Sequence, residues 1–183
     1  MIAGLLAAGG WGLPSDARAN DPDRASKFLL TVFDEITRPQ RIDLAGLIAR
    51  DAALPDIVEF ILDPELRGFT EPQREAATAA LPGWLAAKYA DRIGDLSNTE
   101  ITIQDVRRSR ITGVKITTLF VWPDGREIEM DWHIVTRDGD PKLLDLILAG
   151  DSMLKRERLL MLDLLESLDG DKDALIAQLE TIG

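Results

Sequence analysis

The sequence predicts an α+β fold, an antiparallel sheet of about four strands covered by helices. Three observations carry it. Apolar residues recur at helical spacing between residues 22 and 93. From Glu100 to Ala149 the period falls to two, with turn sequences between the segments. Helical spacing returns after Gly150. Helices, a strand meander and helices again is an order that lets helices cover one face of a sheet.

Asn20-Asp21-Pro22 supplies a helix start, with a capping side chain and then a proline whose missing N–H costs little there. Phe28, Leu29, Val32, Phe33 and Ile36 follow at helical spacing until Pro39. A second helix is expected through Leu44, Leu47 and Ile48. A third follows Pro55, with Ile57, Val58, Phe60, Ile61 and Leu62 too densely apolar for a surface helix, and stops at Asp63-Pro64. Thr70-Glu71-Pro72-Gln73 is a capping box. The helix it opens runs toward Ile93, with Gly94 as its stop. Pro82-Gly83 is expected to kink or break it.

Ile101 and Ile103 alternate with polar residues, and Val114 to Trp122 is rich in β-branched and aromatic side chains. Which face of that second strand is buried stays open. After Pro123-Asp124-Gly125, Ile128, Met130, Trp132 and Ile134 share one face and Glu127, Glu129, Asp131 and His133 the other. Arg137-Asp138-Gly139-Asp140 is a second turn. Lys142 to Ala149 is a fourth strand, apolar enough to be largely covered, in which Asp145 is the odd polar residue. Leu154, Leu159, Leu160, Leu162 and Leu165 suggest an amphipathic helix. Asp169-Gly170 ends it before a short helix from Asp171 to Leu179.

Length and composition bound the function. The chain has 183 residues, 32 acidic and 21 basic, for a net charge of −11. One domain of ordinary globular composition is expected at this length. Acidity argues against nucleic acid, whose phosphates are bound by Lys and Arg. The local exception is Arg107-Arg108-Ser109-Arg110, read as a solvated turn between strands rather than a binding patch. There is no cysteine and one histidine, so disulfides, thiolate chemistry and Cys- or His-rich metal sites are excluded. Residues 2–13 are small or apolar and precede Ala17-Arg18-Ala19, the order in which a secretory signal ends. No Lys or Arg precedes Arg18. Residues 1–19 are therefore expected to be a signal remnant, and 20–183 a single domain working outside the cytoplasm.

None of the common catalytic motifs is present: no G-x-S-x-G, H-E-x-x-H, P-loop or G-x-G-x-x-G. Asp131 and His133 read as a solvated pair. Asp145 needs an ion pair, backbone N–H donors or a cavity rim, because an unpartnered carboxylate in an apolar run is costly. The apolar face of Ile128, Met130, Trp132 and Ile134 is either core or the lining of an apolar pocket.

The C-terminal half resembles the Mla-pathway phospholipid-binding family (MlaC, or toluene-tolerance, proteins). The resemblance rests on Asp124-Gly125, Ile128 through Trp132, Asp138-Gly139, Lys142, Asp145, Gly150, Ser152-Met153 and Arg158. In the N-terminal half it rests on Ile57 to Leu62, Thr70-x-x-Gln73-Arg74 and Tyr89-Ala90, so that it spans roughly residues 22–165. The chain departs from the family pattern at Asp63, Leu66, Pro82, Pro141, Leu143 and Asp151, and smaller side chains, Ala77 and Met161, replace usual aromatics.

The resemblance implies a periplasmic, non-enzymatic carrier of NTF2-like fold with an apolar cavity and no cofactor. It would hold phospholipid acyl chains between sheet and helices. It would shuttle lipid between an outer-membrane lipoprotein and an inner-membrane ABC transporter complex, touching both transiently and spanning neither membrane. On this reading the lipid-binding residues are Phe60, Ile61, Leu85 and Tyr89 from helices, Ile128, Met130, Trp132 and Ile134 from the third strand, and Leu146 and Met153 beyond. The alternatives are a hopanoid carrier of the same family, an NTF2-like enzyme using Asp145 on an apolar substrate, and an interaction module with a solid core.

Overall fold

A computed structural model describes residues 21–38, 42–62, 68–94, 96 and 98–182. The signal-like segment, Pro39 and Asp63-Pro64 lie outside the described residues. Helix α1 (Pro22–Ile36) is capped by the Asp21 carboxylate, which accepts the Asp23 N–H at 3.0 Å, with Pro22 in the first turn. Its buried stripe is Ala25, Leu29, Val32, Phe33 and Ile36. Helix α2 (Leu44–Asp51) is capped by Asp43 through the Gly46 N–H at 2.9 Å. Helix α3 (Leu54–Leu62) follows almost directly and buries Ile57, Val58, Ile61 and Leu62.

Helix α4 (Glu71–Gly94) starts at the expected capping box. The Thr70 N–H donates to Gln73 Oε1 at 3.0 Å, and the Gln73 N–H reaches Thr70 Oγ1 at 3.4 Å. The expected break at Pro82-Gly83 does not occur, and the helix is continuous to Gly94. An interior proline costs about 3 kcal/mol. Here Ala77 and Leu81 before it and Trp84 after it are all buried in one core. Burying two or three such side chains offsets that cost.

The sheet is an antiparallel meander of five strands rather than four, in the order β1-β2-β3-β4-β5. These are β1 (Glu100–Arg108), β2 (Val114–Val121), β3 (Glu127–Arg137), β4 (Asp140–Leu148) and the two-residue β5 (Asp151–Ser152). Asp138 and Gly139 both have positive φ, 53° and 88°, the two-residue hairpin geometry that suits strand twist. On β2 the inner residues are Val114, Ile116, Thr118 and Phe120. Helix α5 (Met153–Ser167) and helix α6 (Lys172–Ile182) complete the chain. The leucine stripe expected on α5 is corrected. Leu159 and Leu160 are exposed, and the buried face is Leu154, Glu157, Met161 and Leu165.

Two apolar cores result. In one, α1 and α2 pack on the inner sheet face, with Phe33, Val114, Ile116, Phe120, Trp132 and Ile134 among its residues. In the other, α3, α4, α5 and α6 pack on each other. Strand β4 is the seam. Ile134 is paired with Leu143 and His133 with Asp145, so Leu144 bulges between them. The bulge lets Leu143 and Leu146 pack on the sheet core while Leu144 packs on the helix core.

Candidate functional site

The sheet core forms an aromatic wall. Phe33 meets Phe120 edge-on at 5.9 Å and Trp132 at 5.1 Å between ring centres. Phe120 and Trp132 stack at 6.3 Å. Such pairs add about 0.5–1.5 kcal/mol each beyond their burial. The Trp132 indole N–H donates to Thr118 Oγ1 at 2.8 Å, and that hydroxyl donates to the Met130 carbonyl at 3.1 Å. The largest ring of the wall is therefore fixed in orientation as well as position. A small cavity of about 10 Å³ lies at one end, lined by Ala25, Val114, Ile134 and Pro141 with Asp21, Arg24 and Thr136.

The helix core is mainly aliphatic, with Phe69 and Trp84 as its buried aromatics. A second cavity of about 10 Å³ lies there, lined by Val58, Ile61, Leu62, Ala77, Leu81, Met161 and Leu179, all apolar. Each cavity admits one water by size, and the second offers that water no polar partner. Ala77 and Met161, which stand where the family resemblance leads one to expect aromatics, both line the second cavity.

A buried polar cluster clasps α4 to α5. Glu157 is 3% exposed. Its carboxylate accepts Lys88 Nζ at 2.7 and 2.8 Å and the Tyr89 hydroxyl. Lys88 also stands 4.7 Å above the Trp84 ring. Burial, and then the hydrogen bond to Glu157, push the Tyr89 hydroxyl pKa well up. Sequence reasoning missed this cluster. The buried face that holds Glu157 with Leu154, Met161 and Leu165 is not the leucine stripe that the sequence suggests.

Asp145 resolves as a cap. Its carboxylate accepts Ser152 Oγ at 2.6 Å and the Leu154 N–H at 3.0 Å, while Ser152 Oγ accepts the Lys155 N–H at 3.1 Å. Both carboxylate oxygens are thus committed to the start of α5. Asp131 and His133 do not pair with each other. Asp131 accepts Thr117 Oγ1 at 2.5 Å, and His133 Nε2 bonds the Thr112 carbonyl at 2.7 Å.

The residues expected to line a lipid pocket fall into three groups. Met130, Trp132, Ile134 and Leu146 come together in the sheet core. Ile61 and Leu85 belong to the helix core. Phe60 and Ile128 are exposed, at 41% and 38%, Tyr89 joins the Glu157 cluster, and Met153 is half-buried at the first residue of α5. Arg158 holds α3 to α5 by donating to the Phe60 carbonyl at 2.5 Å.

An antiparallel five-strand meander whose inner face, lined by Phe120 and Trp132, is covered by helices defines an α+β protein. Residues 35–181 match the family described as MlaC protein, and the chain belongs to that family. Among solved structures it is similar to the phospholipid-binding protein from Ralstonia solanacearum in complex with a phospholipid. The TM-score is 0.70 at 16% identity, covering 90% of this chain and 97% of that one. No curated protein matches this sequence.

Proposed function

We propose that this chain is a periplasmic phospholipid carrier, holding acyl chains between the aromatic sheet wall and the mainly aliphatic helix wall. It passes lipid between an outer-membrane lipoprotein and an inner-membrane ABC transporter complex of the Mla type. The observation that carries this reading is the shared fold, over 90% of the chain, with a protein whose structure holds a phospholipid, joined to family membership. The signal-like order of residues 2–19 supports export. No helix among the described residues is long and apolar enough to cross a membrane.

The energetics suit a carrier. Each buried CH₂ is worth ~0.8 kcal/mol, so a sixteen-carbon chain gains roughly 12 kcal/mol on leaving water. Ligand pockets measure about 300–1,000 Å³, far more than the present cavities, so cargo must part the two walls. Parting them along the β4 seam would expose Ile61 and Leu85 on one side and Met130, Trp132, Ile134 and Leu146 on the other. Phe60, Tyr89, Ile128 and Met153 would stand at the rim. Met161 and Ala77 give the helix wall the room and pliancy to yield first.

The test is lipid extraction and mass spectrometry of the chain from Asn20, purified without detergent. Phospholipid at near one per chain is expected. A hopanoid or other isoprenoid keeps the carrier and changes its cargo. A folded, empty chain that takes up no lipid from vesicles contradicts the proposal.

A further inference from the structure

The connection between β1 and β2 gathers features that holding a lipid does not use. Four basic side chains, Arg107, Arg108, Arg110 and Lys115, stand within nine residues of a chain whose net charge is −11. Arg107 is answered by Asp105 at 2.6 Å and Asp131 at 3.8 Å. Arg108, Arg110 and Lys115 have no ion pair among the described residues. At the tip, Ile111 is 92% exposed, well above any other large exposed apolar side chain among those residues.

The tip is held in shape. The Ser109 N–H donates to the Gly113 carbonyl at 2.9 Å. The Ile111 N–H donates to Ser109 Oγ at 3.4 Å. His133 Nε2 lies 2.7 Å from the Thr112 carbonyl, so that nitrogen carries the proton and donates. Gly113 has φ +75°, and a Cβ there would lie 2.1 Å from the Ile134 carbonyl oxygen. Only glycine fits. The one histidine, on β3, thus braces the β1–β2 connection that carries the basic run, and the sequence left both without a role.

We propose that this hairpin tip docks on an anionic bilayer surface, the Arg108, Arg110 and Lys115 charges facing lipid phosphates and Ile111 entering the headgroup–acyl boundary. Charge complementarity is the argument. An otherwise acidic chain presents, at one end of its sheet, three cations without an ion pair among the described residues. Each basic side chain beside an anionic leaflet is worth roughly fivefold in binding. A protein partner generally needs about 800 Å² per side, whereas a bilayer accepts one protruding apolar side chain ringed by cations. Asp138 and Asp140 of the β3–β4 turn and Asp21 beside Val114 lie at the same end; Asp140 stands 3.8 Å from Arg24, and Arg137 is taken by Asp56. By strand rise, Asp124 and Glu127 at the far end are roughly 25 Å away, beyond the ~8–10 Å screening length. The proposal rests on the carrier reading only in that a lipid carrier has reason to meet a bilayer.

The test is co-sedimentation of the full chain with phosphatidylcholine vesicles, with and without about one-third phosphatidylglycerol. Binding to the anionic vesicles should be at least tenfold stronger and should vanish near 1 M salt, where screening falls to about 3 Å. Arg108→Gln with Arg110→Gln should weaken it roughly 25-fold, and Ile111→Ser roughly fivefold. These side chains are exposed, so melting temperatures should match the parent chain. Equal binding to both vesicles, or an unchanged double variant, overturns the proposal. A chain that ignores vesicles but binds polyglutamate through the same residues overturns it in favour of an acidic protein partner. A chain that co-purifies with phospholipid yet ignores anionic vesicles loses this proposal and retains the carrier reading.

Discussion

The two walls of the interior are built to different rules. The sheet wall is aromatic and over-determined, with three rings in mutual contact and Trp132 tied through Thr118 to the Met130 carbonyl. The helix wall is mainly aliphatic, with Phe69 and Trp84 away from its cavity; that cavity is lined by a flexible methionine and an alanine among others and has no polar lining. Glu157 with Lys88 and Tyr89 ties α4 to α5, while Asp56 of α3 pairs with Arg137 of β3 and Asp145 of β4 holds the start of α5. Close-packed interiors switch between discrete arrangements rather than deforming smoothly. The contrast sharpens the proposed function: on that reading, loading shifts α3 to α6 against the sheet and strains the Asp56–Arg137 and Asp145 links between them.

The largest expected effect is a truncation in the fixed wall. Phe120→Ala should cost about 3–5 kcal/mol in denaturant unfolding, and Met161→Ala less, about 2–3 kcal/mol. Equal costs would erase the distinction between the walls. Next is the clasp, where the two partners differ. Lys88→Ala strands a carboxylate whose side chain is 4% exposed, whereas Glu157→Ala leaves a lysine already 28% exposed. The first should cost about 3 kcal/mol and the second about 1–2, with Lys88→Met/Glu157→Met close to the parent. The opposite ranking would show that the clasp is not a buried carboxylate held by its neighbours.

A smaller change tests the seam. Asp145→Ala leaves the Ser152 cap of α5 but removes the carboxylate that holds Ser152 Oγ and the Leu154 N–H, and should cost about 1–2 kcal/mol, with Asp145→Asn milder because its amide oxygen can still accept the Leu154 N–H. Ala77→Val fills the helix-wall cavity. It should shift stability by under ~1 kcal/mol while lowering phospholipid occupancy in extraction experiments. The smallest effect concerns pH. Burial and Glu157 raise the Tyr89 pKa above its ordinary value of about 10. The native state then holds that proton more tightly than the unfolded chain. Stability from this hydroxyl is complete below about pH 10 and is lost as pH rises toward the raised value. Tyr89→Phe should flatten that alkaline slope.

Features governed by local rules were legible in the sequence. The Thr70–Gln73 box, the Asp138-Gly139 hairpin and the β3 alternation through Met130, Trp132 and Ile134 depend on neighbours within four residues. Features set by tertiary context were not. Pro82 stays inside α4 because the residues flanking it are buried together. The Leu144 bulge, which sends consecutive leucines to different cores, leaves no trace in an evenly apolar run. Glu157 sits in the charged run Lys155 to Arg158, and its burial follows from a partner 69 residues away. The candidate lining residues were grouped by family pattern. Their division between two walls required the packing.

The most direct measurement is amide hydrogen exchange on the chain with and without bound phospholipid. The account predicts that the empty chain exchanges faster in α3 to α6 than in β2 and β3, and that loading slows the helices while leaving those strands unchanged. Uniform protection of both walls, or strands that change while the helices do not, would contradict a carrier with one fixed and one yielding wall.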